Sequence, residues 1–327
     1  MNEMNYENAV TALGCELRRR VLLLDGATGV MLRRRCPASN LDMLCLTHPD
    51  IVADVHREYL EAGADIIETN SFNANALSQR AAGASHPVRD LNLAAARIAR
   101  GEADRFSAID GHRPRFVAGS IGPTAFSASH ASEQGGQSFD SLVEAFSEQA
   151  AALVEGEVDL LLIETVYDAL NARAAALGAV EAFERTSRAV PLFFSATVSD
   201  ASGRLPSGHT VDEFLDMVAE FSPLAVGFNC SAGPSGLFDV MRHLAGISPF
   251  ATIYYPNAGL PGADGTYPFD PARFVTELTP LLTDRILNIA GGCCGTTPAH
   301  IAALRRLLDR PDVLPREITD QRLHIRI

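Results

Sequence analysis

Three of the six cysteines in this 327-residue chain stand where chemistry is done. Cys230 follows the apolar run Leu224–Phe228, and Cys293-Cys294 follow the run Ile286–Ala290 inside Gly291-Gly292-Cys293-Cys294-Gly295. Three thiolates brought together form a soft donor set that suits zinc. Such a set leaves one position for an exogenous ligand, which marks a catalytic rather than a closed structural site. The flanking Gly291, Gly292 and Gly295 let the backbone bend so that adjacent cysteines can face one metal. A competing reading makes Cys293-Cys294 an incidental pair and Cys230 a core residue, because adjacent ligands depart from the usual zinc spacing. A vicinal disulfide is strained and ranks below both. Cys15, Cys36 and Cys45 read as small buried hydrophobes.

Carboxylates supply a second set. Asp25 and Glu164 each end an apolar run, where a charge is costly without a partner or ligand. Together they could bind an ammonium group or act as a general acid/base pair, as in glycosidases. Alternatively, each caps a helix or pairs with an arginine. Glu68, beside the turn formers Thr69 and Asn70, fits that last reading better. The turn Asp25-Gly26-Ala27-Thr28-Gly29 offers backbone N–H groups to an anion, so an amino acid would use both kinds of partner. His56 and His300 lie within helical patterns and read as surface or satisfied residues.

These residues need elements to hold them. Eight short apolar runs recur along the chain: Val21–Leu24, Asp65–Glu68, Arg115–Ala118, Asp159–Ile163, Pro191–Thr197, Leu224–Phe228, Phe250–Tyr255 and Ile286–Ala290. They are continuous rather than alternating, as parallel strands buried on both faces require. Amphipathic helical patterns lie between them: Asp50–Ala62, Val88–Asp104, Phe139–Glu155, Asp168–Glu184, Val211–Phe221, Pro234–Ala245, Asp270–Leu282 and Thr297–Leu308. Eight β-α units in order predict a closed (β/α)₈ TIM barrel of the α/β class as a single domain, with an open doubly wound sheet as the alternative. The barrel is expected over residues 19–310, with a peripheral N-terminal segment 1–18 and a C-terminal tail 311–327. Ile121–Ser138, rich in Gly, Ser and Ala, is a candidate lid. In a barrel the C-terminal strand ends form one rim, and Asp25, Glu68, Glu164, Cys230, Asn257, Cys293 and Cys294 all fall there.

Composition narrows the partners. Hydrophobic residues make up 47% and charged residues 20%, enough apolar surface for a full core. A net charge of −13 argues against nucleic acid or an anionic membrane. No secretory signal or membrane-length apolar run is visible, so a cytoplasmic protein with reduced thiols is expected.

Several stretches carry a resemblance: LLLDGATGVML, LEAGADIIETNSFNAN, GSIGPT, DLLLIETVYDALNARAA, SDASGRLPSGHT, GFNCSAGP, YPNAGLP and NIAGGCCGTTPAHIAAL. The sequence resembles the homocysteine S-methyltransferase family, closest to the homocysteine-binding module of cobalamin-dependent methionine synthase. The resemblance implies zinc on Cys230, Cys293 and Cys294, with the homocysteine sulfur in the open position. It implies Asn257 as a fourth ligand before substrate arrives, Asp25 and Glu164 on the substrate amine, and the backbone at Gly26 and Ala27 on its carboxylate. It further implies methylcobalamin as methyl donor, bound elsewhere or delivered in trans by a separate corrinoid-binding protein. Betaine and sulfonium donors are the alternative within the class, and a non-catalytic zinc or amino-acid module is the alternative outside it. The loop Thr124–Ser138 departs from the methionine synthase pattern, as do Ala27 and Val30. No folate-binding, cobalamin-binding or reactivation module follows the barrel, so an isolated module or a standalone enzyme is expected.

Overall fold

The computed structural model describes residues 12–84, 86–130, 137–198 and 202–318. The eight strands are β1 (Leu22–Leu23), β2 (Ile66–Glu68), β3 (Phe116–Ile121), β4 (Leu160–Val166), β5 (Leu192–Ala196), β6 (Ala225–Asn229), β7 (Ala251–Tyr255) and β8 (Ile289–Ala290). All pair in parallel: β2 to β8 pair in sequence order, and β1 pairs with β8. A parallel bridge from Leu24 to Ile66 joins β1 to β2 and completes the ring. The fold is the expected (β/α)₈ barrel. Pairing of the first strand with the last removes the open-sheet alternative, in which edge strands stay unpaired.

Strand periodicity divides the core in two. Residues two apart share a face. Leu22, Ile66, Ala118, Leu162, Phe193, Ile253 and Ile289 therefore pack together inside the barrel. Their neighbours Leu23, Ile67, Val117, Leu161, Phe194, Val226, Tyr254 and Ala290 pack outward under the helices. Burial on both faces explains why the runs read as continuous.

The helices largely follow the expected patterns, and several open on side-chain caps. Ser138, Asp168, Thr210 and Asp270 each accept a first-turn backbone N–H. The sixth helical pattern splits into a 3₁₀ turn, Pro234–Leu237, and a helix, Phe238–Ile247. Short helices at Thr28–Arg35, Leu44–Thr47 and Ala76–Ala81 occupy loops the sequence reading left blank. No helix among the described residues is long and apolar enough to cross a membrane.

The end of the barrel opposite the rim is closed by segments expected to be peripheral. Residues 12–19 are helical, and Leu13 and Leu17 are buried among the interior residues. From the tail, the Arg316 guanidinium donates to the carbonyls of Ala245, Ser248 and Phe250. Asp65 is fully buried there and accepts from Arg20 at 2.7 Å, Arg113 at 3.0 Å and Arg305 at 3.2 Å.

Three side-chain expectations need correction. Cys15 is exposed and Cys36 half-buried, so only Cys45 is the buried hydrophobe. His56 is fully buried, and neither ring nitrogen has a partner among the described residues. Its burial pushes the imidazole pKa down to about 4, so the ring is neutral. His300 is satisfied as expected, against Thr297 and the Phe269 carbonyl. The candidate lid lies partly outside the described residues. Its described first half is tied down: Tyr167 donates to the Thr124 and Phe126 carbonyls, and Asp168 accepts from Ser127 and Ser129.

Candidate metal and amino-acid site

Strand parity selects what lines the mouth. Two residues beyond the interior layer come Glu68, Ser120, Glu164, Ser195 and Tyr255, all on the inward face. Asn229 reaches the same level on β6. The rim is thus a polar layer on an apolar barrel.

The three cysteines predicted to converge do so. Their sulfurs lie within 4.8 Å of one another, and Cys230 Sγ stands 3.3 Å from Cys294 Sγ. Sulfurs bound tetrahedrally at about 2.3 Å from one zinc ion stand roughly 3.8 Å apart, so the cluster has the size such an ion needs. Cys230 adopts φ 51°, a left-handed conformation that non-glycine residues rarely take and that clusters at functional sites. Gly295 has φ 82°, and the Tyr267 ring covers the place where a Cβ would stand. Gly291 and Gly292 serve close packing instead, against Leu24 and Thr296. The loop is held by backbone bonds from Cys293 N to the Pro256 carbonyl and from Ala258 N to the Cys294 carbonyl, each 2.8 Å.

Electrostatics favour a cation here. Hydrogen bonds from Cys230 and Cys293 hold Cys294 as a thiolate, with its pKa pushed down to about 3. Contact with Cys293 lowers the Cys230 pKa, but the Cys294 thiolate and burial outweigh it and push it up to about 12. Contacts with Cys230 and Cys294 raise Cys293 further. Ionising all three sulfurs so close together would need a positive charge among them. The donor set, its spacing and its charge fit zinc.

Asn229 links the sulfurs to the carboxylates. Its amide nitrogen donates to Thr165 Oγ1 at 2.8 Å and lies 3.4 Å from Glu164 Oε2 and 3.8 Å from Cys293 Sγ. Its oxygen accepts from Thr165 N at 3.0 Å and Ser195 Oγ at 2.8 Å. Thr165 has φ 52°, and the β4–β5 register shifts there. Such an irregularity re-aims side chains beside active sites, and here Asn229 clamps it. Glu164 also accepts from Ser120 and, at 3.4 Å, from Tyr255.

Asp25 is buried across the mouth and accepts from the Glu68 backbone N–H at 3.0 Å. Its Oδ1 and Glu68 Oε1 are shut from solvent without a hydrogen-bond partner among the described residues. Burial raises all three acids, with Glu164 pushed up to about 7, and their mutual repulsion adds to the rise at Asp25 and Glu68. Gly26 is pressed between Thr296 and Tyr59, where no side chain fits. Ala27 N donates to Thr296 Oγ1 at 3.2 Å. Asn257 is buried beside the cluster, its oxygen accepting from Cys294 N at 3.1 Å.

Sequence reasoning missed Ser120, Thr165, Asn229, Tyr255, Thr296 and Tyr59, and it misread Glu68. Counting by two from Ile66 and from Ala118 finds Glu68 and Ser120. The same count from Ala225 and from Ile253 finds Asn229 and Tyr255, whereas Thr165, Thr296 and Tyr59 carry no such marker.

A pH dependence follows from the acids. Each binds its proton more tightly folded than unfolded, so that stability is full below the unfolded pKa and is lost as pH rises through the folded value. For Glu164 that window runs from 4.5 to about 7. Thermal melts of the metal-free protein should show the midpoint falling across this window, with a shallower fall in Glu164→Gln. Equal slopes would clear Glu164 of the effect.

A family model described as homocysteine S-methyltransferase matches residues 22–308. The crystal structure of homocysteine methyltransferase MmuM from Escherichia coli in its metallated form matches with a TM-score of 0.73 at 25% identity, covering 91% of this chain and 99% of that one. The oxidised form of MmuM matches with a TM-score of 0.73 at 26% identity, with coverage of 91% and 99%. The apo form gives 0.68 at 25%, covering 92% and 100%.

Proposed function

The chain belongs to the homocysteine S-methyltransferase family, and from that premise we propose a zinc-dependent enzyme that methylates L-homocysteine to methionine from a methyl-corrinoid donor. The single observation that carries the zinc reading is the convergence of Cys230, Cys293 and Cys294 over the barrel mouth. Zinc, when bound, supplies the positive charge that keeps a fourth sulfur as a thiolate at neutral pH, where a free thiol with a pKa of about 8.5 is mostly protonated. Cys230, Cys293 and Cys294 would hold the metal, and the side-chain oxygen of Asn257 beside them would be a further donor to it in the absence of substrate. Asp25 and Glu164 take the substrate ammonium. The backbone at Gly26 and Ala27 takes its carboxylate. Asn229 fixes Glu164 relative to the sulfurs, so amine and thiol are positioned together. The substrate sulfur then forms a bond to the methyl carbon in line, and the donor's leaving group departs with the electron pair of the broken bond. No general base is needed at the reacting sulfur.

The corrinoid reading rests on the resemblance to the methionine synthase module and is tested directly. The zinc-loaded protein is mixed with free methylcobalamin, and the cobalamin spectrum is followed with and without homocysteine. Demethylation that requires both zinc and homocysteine is the expected result. Turnover with a sulfonium or betaine donor and none with methylcobalamin would reassign the donor. Homocysteine binding without turnover under any donor would make the chain a binding module.

A further inference from the structure

Glu68 is the acid at the mouth that the amine site does not yet use. It ends β2 on the inward face, two residues beyond the interior Ile66. Its Oε1 is shut from solvent and has no hydrogen-bond partner among the described residues. Asp25 next to it is 1% exposed, with Oδ2 on the Glu68 backbone and Oδ1 equally unpartnered. The third acid, Glu164, is held in place by Ser120, Asn229 and Tyr255. Among the described residues no arginine or histidine forms an ion pair with any of the three. Buried carboxylate oxygens without partners are costly and call for a donor that arrives from outside.

A primary ammonium group brings three N–H donors and one positive charge. We infer that Glu68 is a third ligand of the substrate ammonium, so that Asp25, Glu68 and Glu164 each accept one of its N–H bonds. This rests on the proposed assignment of Asp25 and Glu164 to the substrate amine and extends it. The three acids repel one another, and one that keeps its proton still offers an oxygen as acceptor. The consequence is selectivity: the site takes a primary amine and rejects an N-substituted one, which leaves an acceptor unmet.

The test separates an amine contact from a structural role. Affinities of the zinc-loaded full chain for L-homocysteine and for 4-mercaptobutanoate, which keeps thiol and carboxylate but lacks the amine, are measured by calorimetry in wild type, Glu68→Gln and Glu164→Gln. Glu68→Gln should weaken homocysteine by about tenfold or more, the loss of a charged hydrogen bond, and move the des-amino thiol by less than about twofold. Equal weakening of both ligands, or unchanged homocysteine affinity, would overturn the inference. If Glu164→Gln separates the two thiols and Glu68→Gln does not, only the role of Glu68 falls. If neither variant separates them, the amine site itself is wrongly placed. A measurement on wild type needs no variant to fold: N-methyl-homocysteine offers two N–H donors and should bind at least about tenfold more weakly than homocysteine. Equal affinity would count against three acceptors.

Discussion

Cys293→Ala is expected to lose bound zinc and methyl transfer together while the barrel stays folded. The backbone around Cys293 does not depend on its sulfur. Its N–H donates to the Pro256 carbonyl at 2.8 Å, and its carbonyl accepts from Thr296 N at 3.1 Å and Thr296 Oγ1 at 2.7 Å. Removing Sγ leaves those bonds and takes one donor from a set of three. Two thiolates and solvent bind zinc far more weakly than three, and the substrate sulfur loses the charge that keeps it ionised. Metal analysis should fall from about one zinc per chain to near none, with methyl transfer at background and an unchanged circular dichroism spectrum. A variant that keeps its zinc and its activity would sink the three-sulfur assignment. A variant that loses zinc yet transfers methyl at the full rate would separate the metal from the chemistry.

The three-cysteine cluster was legible because its chemistry is rare. Cysteine pairs beside glycines at the end of an apolar run have few explanations, and the barrel supplied the geometry that brings Cys230 to them from two strands away. The strands were legible for a related reason: burial on both faces favours apolar residues at most strand positions, so each run stands out. Glu68 was misread because its neighbours Thr69 and Asn70 suggested a turn, whereas the pleat had already fixed its direction from Ile66. Asn229 was passed over beside Cys230, since nothing local reveals that its amide ties β4 and β5 to the cysteine loop after β8. The closure of the far end was invisible for the same reason. Leu13, Leu17 and Arg316 are ordinary residues in sequence, and only the assembled ring gives them something to cover.

That far end carries the second large effect, on stability rather than chemistry. Asp65→Asn should lower the free energy of unfolding by about 3–5 kcal/mol, the usual consequence of removing one partner from a buried ionic cluster. Asp65 stands just ahead of β2, fully buried, and accepts the Leu23 backbone N–H at 2.9 Å as well as bonds from three guanidinium groups. Asparagine keeps an acceptor for Leu23 but leaves Arg20, Arg113 and Arg305 without the buried charge that holds them. Glu16 and Asp309 still face Arg20, Arg113 and Arg305, but Asp309 is 57% exposed at its side chain and screened by water. The damage should stay local to the closed end. Barrels separate a stabilising end from a reacting rim, and the rim of this one is held by Asn229, Thr296 and the loops after β6, β7 and β8. Denaturant unfolding of Asp65→Asn should therefore show a lower midpoint, while zinc content and homocysteine affinity at low temperature match wild type. Lost affinity at full zinc occupancy would mean that the two ends are coupled through β1 and β2, the strands that carry Asp25 and Glu68 to the rim.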